Sequence, residues 1–521
     1  MKPIATEPYW MTSAALPQFP ALTQDLTVDV VIVGAGITGV TAAYLIKSAG
    51  LRVALVERKR VGMGDTGYTT AHLTYVTDLR LSELDRVFGR DRARAVWDAG
   101  RVAIEQIEAN IAAEGIDCDY RSVPGYLHEP IDGENGHRER TAMRHEAELA
   151  RELGFGATSI ERVPFVNRPG IRFDSQALFH PLRYLAGLVS SIPGDGSHIF
   201  EQTTVEAVED GPLRVRAGSH TIRCDYVVVA THTPLMGKTN AVSASLLQTK
   251  LALYSSYAIG GTVKSAAVPE ASFWDTADPY HYLRVDPRRE FDYVIFGGED
   301  HKTGQVADTS ACFESLEATL KHLIPSVDVT HRWSGQVIET NDGLPYIGET
   351  SPRQFVATGF SGNGMTFGTL AAMMARDAAL GRSNPWRELF DVHRKTLRGG
   401  TWDYLKENKD YLYYLIRDRF AASEKSLRAV PRGEGRIVDL NGDQVAAYRD
   451  PQGVVTLRSA VCTHMGCLVA WNGADRTWDC PCHGSRFAPN GDVLAGPAES
   501  PLAEVDLTAK VPAARRGQAA S

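Results

Sequence analysis

Short apolar segments and amphipathic segments alternate in the N-terminal part of the chain. Residues 28–33 form an apolar run of the length expected for a buried parallel strand, and residues 53–56 form a second such run. Between them, residues 40–46 carry apolar side chains at helical spacing, and Gly50 follows at a typical helix end. This order predicts a strand–helix–strand unit of a parallel α/β sheet.

The rest of the chain changes pattern several times. Residues 85–155 are rich in Arg, Ala and Glu at helical spacing, whereas residues 250–300 contain aromatic, strand-like runs. Residues 332–348 are polar and rich in turn residues, which predicts a loop. Residues 396–432 are charged and predict a helix and a linker, while residues 433–508 predict short strands joined by Gly, Asp and Asn turns. The pattern predicts an α/β region followed by an all-β domain.

Composition narrows the class of protein. The chain has 521 residues, 43% hydrophobic and 23% charged, which is an ordinary globular composition with room for about three domains. A net charge of -8 argues against a nucleic-acid binder. No run of about 18 apolar residues and no secretory leader is evident, so we expect no membrane span and a cytoplasmic location.

A glycine-rich turn joins the first predicted strand to the helix. Residues 34–39 read Gly-Ala-Gly-Ile-Thr-Gly, and Glu57 ends the second strand. Gly34 permits the tight turn, Gly36 lets the backbone approach a pyrophosphate, and Gly39 allows close packing of helix on strand. Glu57 is suited to the ribose hydroxyls and would repel the 2′-phosphate of NADP. The unit predicts dinucleotide binding rather than an empty glycine turn, but by itself does not separate FAD from NAD.

Three later segments extend the pattern. Residues 226–234 form a buried strand that ends in a small-residue turn, and residues 355–370 form a strand, a glycine loop and a helix. Together with the polar segment 332–348 and the first unit, they resemble the D-amino-acid-oxidase-like flavoprotein family, which includes sarcosine, glycine and γ-glutamylputrescine oxidases. The resemblance covers most of residues 25–395 and implies FAD as the cofactor.

The resemblance also implies which residues contact FAD. The loop after the second strand passes the pyrophosphate and flavin, the backbone of Val205 meets the adenine after strand-like residues 202–204, and the last glycine loop faces the flavin ring unless it is an ordinary strand–helix turn. Some relatives attach FAD through a nearby histidine, but for His72 a non-covalent contact or simple packing is favoured. The implied FAD contacts are Gly34, Gly36, Ile37, Thr38, Gly39, Glu57, Arg58, Thr69, Thr70, Val205, Ala230, Thr231, Gly362, Asn363, Gly364, Met365 and Thr366.

The same family places an antiparallel sheet over the substrate, and residues 250–300 fit that role. Arg284 is a candidate for binding a substrate carboxylate and Tyr282 for lining the pocket, with an exposed, solvated arginine as the alternative. The charged residues at 298–302 are expected to form a solvated turn rather than a catalytic set. No catalytic residue is assigned, because amine oxidation in this fold needs no strong protein base.

Cysteines concentrate near the C-terminus. Of seven cysteines, four lie between residues 462 and 482, which indicates a metal site in a chain without a secretory leader. Cys462, His464, Cys480 and His483 form a Cys₂His₂ set that suits zinc and equally suits a Rieske [2Fe–2S] cluster. The Cys-x-His and Cys-x-x-His pairs depart from the spacing of zinc fingers.

The neighbouring residues favour the cluster. The segment resembles the Rieske domains of respiratory cytochrome bc complexes over about residues 433–508. That resemblance implies a disulfide between Cys467 and Cys482 and a third cluster-covering loop at residues 496–498.

Two further positions bear on the redox potential. In the resemblance, Ser485 matches a serine that donates a hydrogen bond to a cluster sulfide. Phe487 replaces a tyrosine that donates to a ligand cysteine, and its loss predicts a lower reduction potential than that of respiratory Rieske proteins.

These features predict an α/β fold, a Rossmann-like FAD-binding domain with an α+β substrate domain, plus a small all-β C-terminal Rieske domain. The predicted bounds are 1–24 for an N-terminal extension, 25–395 for the oxidoreductase (FAD-binding 25–80, 195–245 and 330–395; substrate domain 81–194 and 246–329), 396–432 for a helix and linker, 433–512 for the Rieske domain and 513–521 for a flexible tail.

The predicted function is that of an FAD-dependent oxidoreductase acting on a CH–NH bond. It would oxidise an amine or amino acid and pass electrons through the Rieske cluster to an external acceptor, an unidentified electron-transfer partner. Three alternatives remain at this point: a reductase with the reverse electron flow, an oxygen-using oxidase with a regulatory cluster, and a non-enzymatic redox sensor.

Overall fold

The computed structural model of the chain describes residues 4–131, 137–233, 250–394, 426–440 and 442–505. Most of the predicted helix and linker at 396–432 and all of the predicted tail at 513–521 lie outside these residues. The chain divides into two units, residues 1–409 and residues 410–521.

The helices belong to the first unit. None of those in the described ranges combines the length and the apolar character that crossing a bilayer requires. They are α1 (Tyr9–Ser13), α2 (Ile37–Ser48), α3 (Asp65–Tyr68), α4 (Leu81–Phe88), α5 (Arg90–Glu114), α6 (His137–Glu152), α7 (Pro181–Ser190), α8 (Ser310–Leu323), α9 (Gly364–Ala379) and α10 (Arg387–Phe390), with short 3₁₀ turns at Ser361–Asn363 and, in the second unit, Leu427–Ala429.

The strands of the described residues form three sheets in the first unit and two in the second. They are β1 (Leu26–Thr27), β2 (Val30–Val33), β3 (Val53–Val56), β4 (His72–Leu73), β5 (Arg121–His128), β6 (Ala157–Ile160), β7 (Gly170–Leu178), β8 (His198–Phe200), β9 (Val205–Glu209), β10 (Arg214–Ala217), β11 (His220–Arg223), β12 (Tyr226–Val229), β13 (Leu251–Val263), β14 (Ser272–Asp275), β15 (Tyr282–Pro287), β16 (Asp292–Lys302), β17 (Asp328–Thr340), β18 (Tyr346–Ser351), β19 (Gln354–Thr358), β20 (Gly435–Leu440), β21 (Asp443–Arg449), β22 (Val455–Ser459), β23 (Ala470–Asn472), β24 (Thr477–Asp479), β25 (Arg486–Phe487) and β26 (Val493–Ala495).

The first sheet has six strands in the order β18-β19-β12-β2-β3-β8. All neighbours are parallel except β18, which runs antiparallel to β19 at one edge. Every residue of β2, β3 and β12 is buried, which is why these strands read as continuous apolar runs. Helices α2 and α9 pack against one another along this sheet. This is the α/β arrangement that the sequence predicts.

A larger sheet has nine strands in the order β17-β13-β16-β15-β14-β5-β7-β4, with β6 paired to β7. Strands β13, β15 and β16 are the aromatic segments at 250–300 and pair antiparallel. The predicted loop at 332–348 is wrong: β17 occupies residues 328–340 and β18 begins at Tyr346. Because β17 lies at the sheet edge, its polar side chains remain partly exposed, so the segment has no apolar strand signature.

A small four-stranded sheet has the order β1-β11-β10-β9. Strand β9 begins at Val205, so the strand-like character expected at residues 202–204 is displaced to the residues that follow.

The described regular structure of the second unit consists of β-strands and one short 3₁₀ turn, as expected for the predicted all-β domain. Strands β20 to β22 form one antiparallel sheet and β23 to β26 another. Trp478 and Phe487 are fully buried in its core, and a disulfide joins Cys467 to Cys482. A small domain has limited apolar area, so a covalent link between loops contributes a large share of its stability.

The disulfide joins two residues that are 15 positions apart. Closing a loop of that length lowers the conformational entropy of the unfolded chain and so stabilises the folded state by about 3 kcal/mol. We therefore expect the double variant Cys467→Ala/Cys482→Ala to lower the local unfolding free energy of residues 435–495 by about 3 kcal/mol. Hydrogen exchange of peptides from that range measures it. The variant Cys224→Ala, in the first unit, is the control and should leave those peptides unchanged; equal protection in both variants would contradict the prediction.

Candidate functional site

The glycine turn after β2 brings three backbone segments into direct contact. Gly34 has φ of +98°, and a Cβ placed there would lie 2.5 Å from the carbonyl oxygen of Ala230 at the end of β12. A Cβ at Gly39 would lie 1.8 Å from the carbonyl oxygen of Gly34. No side chain fits at either position, so the turn, the end of β12 and the first turn of α2 are locked together.

Two helix N-termini meet beside this turn. The N–H of Ile37 donates to Thr66 Oγ1 at 3.0 Å, and a Cβ at Gly368 of α9 would lie 2.8 Å from Thr38 Oγ1. The positive ends of α2 and α9 therefore lie side by side, which favours a ligand that carries negative charge. The sequence prediction missed Thr66, since nothing in its local pattern marks it.

Glu57 occupies the end of β3, where the sequence predicts the ribose contact. Its carboxylate accepts hydrogen bonds from the N–H of Ala35 at 2.9 Å and of Lys59 at 2.7 Å. These bonds fix the carboxylate beside the glycine turn, and each oxygen keeps a second lone pair that suits a hydroxyl donor. Arg58 is exposed next to it.

Strands β12 and β9 carry the residues predicted for the adenosine half. The N–H of Ala230 donates to the carbonyl of Val33 at 2.8 Å, and Thr231 Oγ1 donates to the carbonyl of Thr233 at 2.8 Å. Val205 is buried at the start of β9. All three lie at or next to strand ends, where backbone groups are accessible to a ligand.

The loop at residues 69–71 is held through three consecutive carbonyls. Trp10 Nε1 donates to the carbonyl of Thr69 at 2.6 Å. Arg284 Nη1 donates to the carbonyls of Thr70 at 3.0 Å and Ala71 at 2.6 Å. We call these contacts the carbonyl clamp. It joins the N-terminal segment and β15 to a loop that the sequence assigns to the cofactor.

Arg284 is fully buried, and its guanidinium contacts other groups of the protein. It also donates to the carbonyl of Phe179 at 3.2 Å, pairs with Asp286, and lies 5.0 Å from the centre of the Trp10 ring. Arg121 pairs with the same Asp286 carboxylate at 2.7 Å. The alternative of a solvated surface arginine is therefore wrong. The observed contacts give Arg284 a positioning role, and its contact with a substrate carboxylate stays a prediction.

Tyr282 and His72 face one another across the same region. The Tyr282 hydroxyl lies 2.8 Å from Ser256 Oγ, and the rings of Tyr282 and His72 are 5.9 Å apart. His72 Nδ1 lies 3.1 Å from Ser272 Oγ, while its Nε2 is buried and has no hydrogen-bond partner among the described residues. Desolvation lowers the pKa of His72 to about 3, so the imidazole is neutral.

The loop before α9 is tied to the segment at residues 74–78. Asn363 Nδ2 donates to the carbonyl of Val76 at 2.9 Å, and Thr366 Oγ1 donates to the carbonyl of Thr74 at 2.9 Å. Both side chains are buried. Their amide and hydroxyl groups therefore position this loop and its neighbour.

One acidic side chain at this loop escaped the sequence prediction. The N–H of Gly362 donates to Asp78 Oδ2 at 2.7 Å. At Gly364, a Cβ would have no atom within 4 Å, so the start of α9 opens onto free space, and Met365 beside it is buried. The residues at 298–302, expected as a solvated turn, belong instead to β16, and desolvation raises the pKa of Asp300 to about 7.

The observed set fits FAD. A turn that only glycine can occupy, two adjacent helix N-termini, a carboxylate at the end of the second strand and an open space at Gly364 are what a dinucleotide with a flavin ring requires. The structure therefore brings the sequence-assigned segments together around one region of the first unit.

Two loops of the second unit share one hydrogen-bond frame. In loop 462–467 the N–H of Cys462, the first residue, donates to the carbonyl of Cys467, the last, at 2.8 Å. The N–H of Gly466, the fifth residue, donates to the carbonyl of Cys462 at 3.0 Å. Loop 480–485 repeats both bonds at 2.8 Å and 2.9 Å. Gly466 and Gly484 hold the fifth position with φ of +79° and +68°. The repeat explains why the two metal motifs look alike in sequence.

These loops present two sulfur and two nitrogen donors. Cys462 and Cys480 are buried, as is Ser485 in the second loop. The rings of His464 and His483 lie 4.8 Å apart. Desolvation lowers the pKa of both histidines to about 4, which keeps them in the neutral form that binds metals. The donor chemistry fits a Rieske cluster, and by itself it fits zinc as well.

The disulfide and the third loop, residues 496–498, pack against the two loops that carry the cysteine and histidine donors. Cys467 and Cys482 are joined, so they do not offer thiolates. Ser485 Oγ accepts a hydrogen bond from the N–H of Ala498 at 3.1 Å, and a Cβ at Gly496 would lie 2.6 Å from Ser485 Cα. The third loop thus packs directly on the second, and only a glycine permits the contact.

Comparison with protein families decides between FAD and NAD in the first unit and between zinc and an iron–sulfur cluster in the second. Residues 29–378 match the DAO family model, described as FAD dependent oxidoreductase, and residues 422–506 match the Rieske [2Fe-2S] domain. FAD is therefore the dinucleotide of the first unit, and an iron–sulfur cluster, not zinc, belongs to the second.

One relative spans both units, and others match the oxidoreductase part. YhfW of Bacillus subtilis (strain 168), named as a Rieske 2Fe-2S iron-sulfur protein, is 33% identical over 513 residues and covers 96% of this chain and 98% of its own. Gamma-glutamylputrescine oxidoreductase of Escherichia coli (strain K12) is 24% identical, covering 80% and 98%. Glycine oxidase from Geobacillus kaustophilus has the same fold over 71% of this chain and 99% of its own, with a TM-score of 0.58 at 17% identity. The chain thus belongs to the DAO family of FAD-dependent oxidoreductases and carries a C-terminal Rieske [2Fe–2S] domain.

Proposed function

We propose that the chain is an amine or amino-acid dehydrogenase in which electrons pass from the flavin site through the Rieske cluster to an external acceptor. The observation that carries the proposal is the presence of both modules on one chain, at residues 29–378 and 422–506. A two-electron site and a one-electron carrier together convert hydride removal into single-electron delivery. The similarity to a gamma-glutamylputrescine oxidoreductase supports a CH–NH bond as the point of attack.

In this proposal the glycine turn and α2 bind the FAD pyrophosphate. The backbone of Gly36 and Thr38 supplies N–H donors at the positive end of α2, the N–H of Ile37 being bonded to Thr66, and Glu57 binds the ribose hydroxyls. The adenosine half lies by Val205 and residues 230–231. The carbonyl clamp holds Thr69 and the adjoining loop against the cofactor from the other side.

Residues 362–366 lie at the flavin ring in this proposal. FAD, when bound, accepts the hydride from the carbon beside the amine nitrogen. The chain contributes the N-terminus of α9, which stabilises the negative charge that develops on that side, and Asn363 and Thr366, which fix the loop through the carbonyls at 74–76. Burial of Tyr282 raises the pKa of its phenol, so it stays protonated and acts as a hydrogen-bond donor.

Cys462, His464, Cys480 and His483 are the proposed cluster ligands. The two histidines remain partly exposed, whereas the two cysteines are buried. Electrons would therefore leave at the histidine side, where an acceptor protein or small molecule can approach. The acceptor is defined by that requirement: it takes one electron at a time at a surface.

Anaerobic addition of amines and amino acids to the holoprotein tests the proposal. We expect a substrate to bleach the flavin absorbance and then to produce the electron paramagnetic resonance signal of a reduced Rieske cluster. The variant Cys480→Ser, which removes a ligand, should keep the flavin bleaching and lose at least tenfold in cytochrome c reduction, because the one-electron route is interrupted.

Other results of that experiment contradict the proposal in distinct ways. Bleaching only by an external reductase indicates the reverse flow. When the same compounds are added in air, rapid peroxide formation that is unchanged in Cys480→Ser indicates an oxidase. Absence of bleaching with every amine and amino acid indicates a redox sensor.

The carbonyl clamp predicts an effect on cofactor affinity. Trp10→Phe keeps the aromatic ring and removes the N–H that binds the carbonyl of Thr69. One hydrogen bond is worth about 1 kcal/mol, so we expect FAD to bind the apoprotein about fivefold more weakly, measured by quenching of flavin fluorescence. Trp274→Phe, in the same unit, is the control for loss of an indole. Equal affinity of Trp10→Phe and the unaltered protein would show that the clamp does not position the FAD loop.

The side chain at position 487 is expected to influence the reduction potential of the Rieske cluster. Its ring is fully buried in β25, opposite Trp478. Phe487→Tyr adds a donor for cluster sulfur, which stabilises the reduced form by about 1 kcal/mol and should raise the midpoint by about 40 mV. A redox titration followed by paramagnetic resonance measures it, with Phe487→Leu as the variant that removes the ring without adding a donor. A midpoint that does not rise in Phe487→Tyr contradicts the assignment.

A further inference from the structure

A buried ion pair lies at the base of loop 480–485 in the second unit. In the antiparallel pairing of β24 with β25, Asp479 is directly opposite Arg486. The chain continues from Asp479 into Cys480 and reaches Arg486 from Ser485. The N–H of Cys480 donates to the carbonyl of Ser485 at 2.8 Å, which closes the loop. The loop that carries two of the proposed cluster ligands therefore begins and ends at this pair.

The carboxylate of Asp479 is removed from water and hydrogen-bonded on both oxygens. Its side chain is 2% exposed. Asn472 Nδ2 donates to one oxygen at 2.9 Å. Thr477 Oγ1 and Arg486 Nε donate to the other oxygen at 2.7 Å and 3.2 Å. Because three donors hold it, this carboxylate has a defined position relative to the loop.

A second carboxylate shares the same guanidinium. Arg486 Nη2 donates to Asp475 Oδ2 at 2.6 Å, and the side chains of Arg486 and Asp475 are only 11% and 15% exposed. We call Asp475, Asp479 and Arg486 the ion triad. Two carboxylates and one guanidinium leave the triad with an excess of one negative charge. Solvent screens a largely buried charge less than it screens a surface charge, so its effect extends further.

The two loops that carry the cysteine and histidine donors contain no charged residue of their own. Residues 462–467 and 480–485 include no Asp, Glu, Lys or Arg. Along the sequence, the first charged residues on either side of loop 480–485 are Asp479 and Arg486. The electrostatic environment of that loop therefore depends on residues outside it, and the triad is attached to both of its ends.

We infer that the ion triad lowers the reduction potential of the Rieske cluster, with Asp479 supplying the unfavourable charge and Arg486 offsetting part of it. Reduction adds one electron to the cluster, so the reduced form carries one more negative charge than the oxidised form. A net negative charge held close by disfavours that form. The effect belongs to the second unit alone and is independent of the substrate of the first. It acts in the same direction as the missing donor at Phe487, by a different means.

A redox titration of the holoprotein, followed by the paramagnetic resonance signal of the reduced cluster, measures the effect. Asp479→Asn keeps the size of the side chain and removes one negative charge. For unit charges roughly 10 Å apart at an effective dielectric constant of about 20, Coulomb's law changes an equilibrium constant about tenfold. We therefore expect the ratio of reduced to oxidised cluster at a fixed potential to rise about tenfold, which is a midpoint rise of about 59 mV.

Two further variants separate the charge from a general disturbance of the loop. Arg486→Gln removes the positive charge and should lower the midpoint, whereas a disturbed loop would move both triad variants in the same direction. Asp492→Asn is the matched control for loss of a carboxylate. Asp492 is exposed in the same unit and accepts a hydrogen bond from Asn490 Nδ2 at 2.8 Å. Solvent screens its charge, so the midpoint should stay unchanged.

The signs of the shifts decide the outcome. Opposite shifts in Asp479→Asn and Arg486→Gln, with none in Asp492→Asn, support the inference. A midpoint that does not rise in Asp479→Asn, shifts of one sign in both triad variants, or an equal rise in Asp492→Asn overturn it. If Asp479→Asn does not assemble the cluster, Asp475→Asn replaces it: a smaller rise supports the inference, and an unchanged midpoint overturns it.

Discussion

Both cofactor sites are held by contacts so close that only glycine fits at them. In the first unit a Cβ at Gly39 would lie 1.8 Å from the Gly34 carbonyl, and one at Gly368 would lie 2.8 Å from Thr38 Oγ1. In the second unit a Cβ at Gly496 would lie 2.6 Å from Ser485 Cα. These contacts place two helix N-termini together and close the cluster loops.

The buried Arg284–Asp286 pair is the second constraint on the first unit. Removing a guanidinium from water is costly unless its donors are paired; here the two Nη groups donate to three carbonyls and one carboxylate, while Nε has no hydrogen-bond partner among the described residues. The pair therefore couples strand β15 to the loop at residues 69–71 and, through the ring of Trp10, to the N-terminal segment. Arg284 thus belongs to the framework that holds this loop.

The fold of the first unit is shared with known oxidases, and a shared fold does not define a substrate. Glycine oxidase has the same fold at 17% identity, a level at which architecture persists and pocket chemistry does not. The glycine loop of this chain has its own polar contact, the hydrogen bond from the N–H of Gly362 to Asp78 Oδ2 at 2.7 Å.

The sequence by itself determined the features that local patterns encode. The apolar runs of β2, β3 and β12, the glycine turn at residues 34–39 and the paired Cys–His loops were all visible, because each depends on neighbours within a few positions. The family resemblance added the cofactors, since it depends on the order of such local segments.

Only the tertiary structure decided the roles of residues whose partners are remote. Arg284 meets Thr70 across 214 positions, and Gly362 meets Asp78 across 284, so no local pattern announces either contact. The polar edge strand β17 was mistaken for a loop for a related reason: its pairing with β13 supplies the order that its own residues do not signal. Burial and charge compensation are properties of the assembled chain, and they are what determine the chemistry of a pocket.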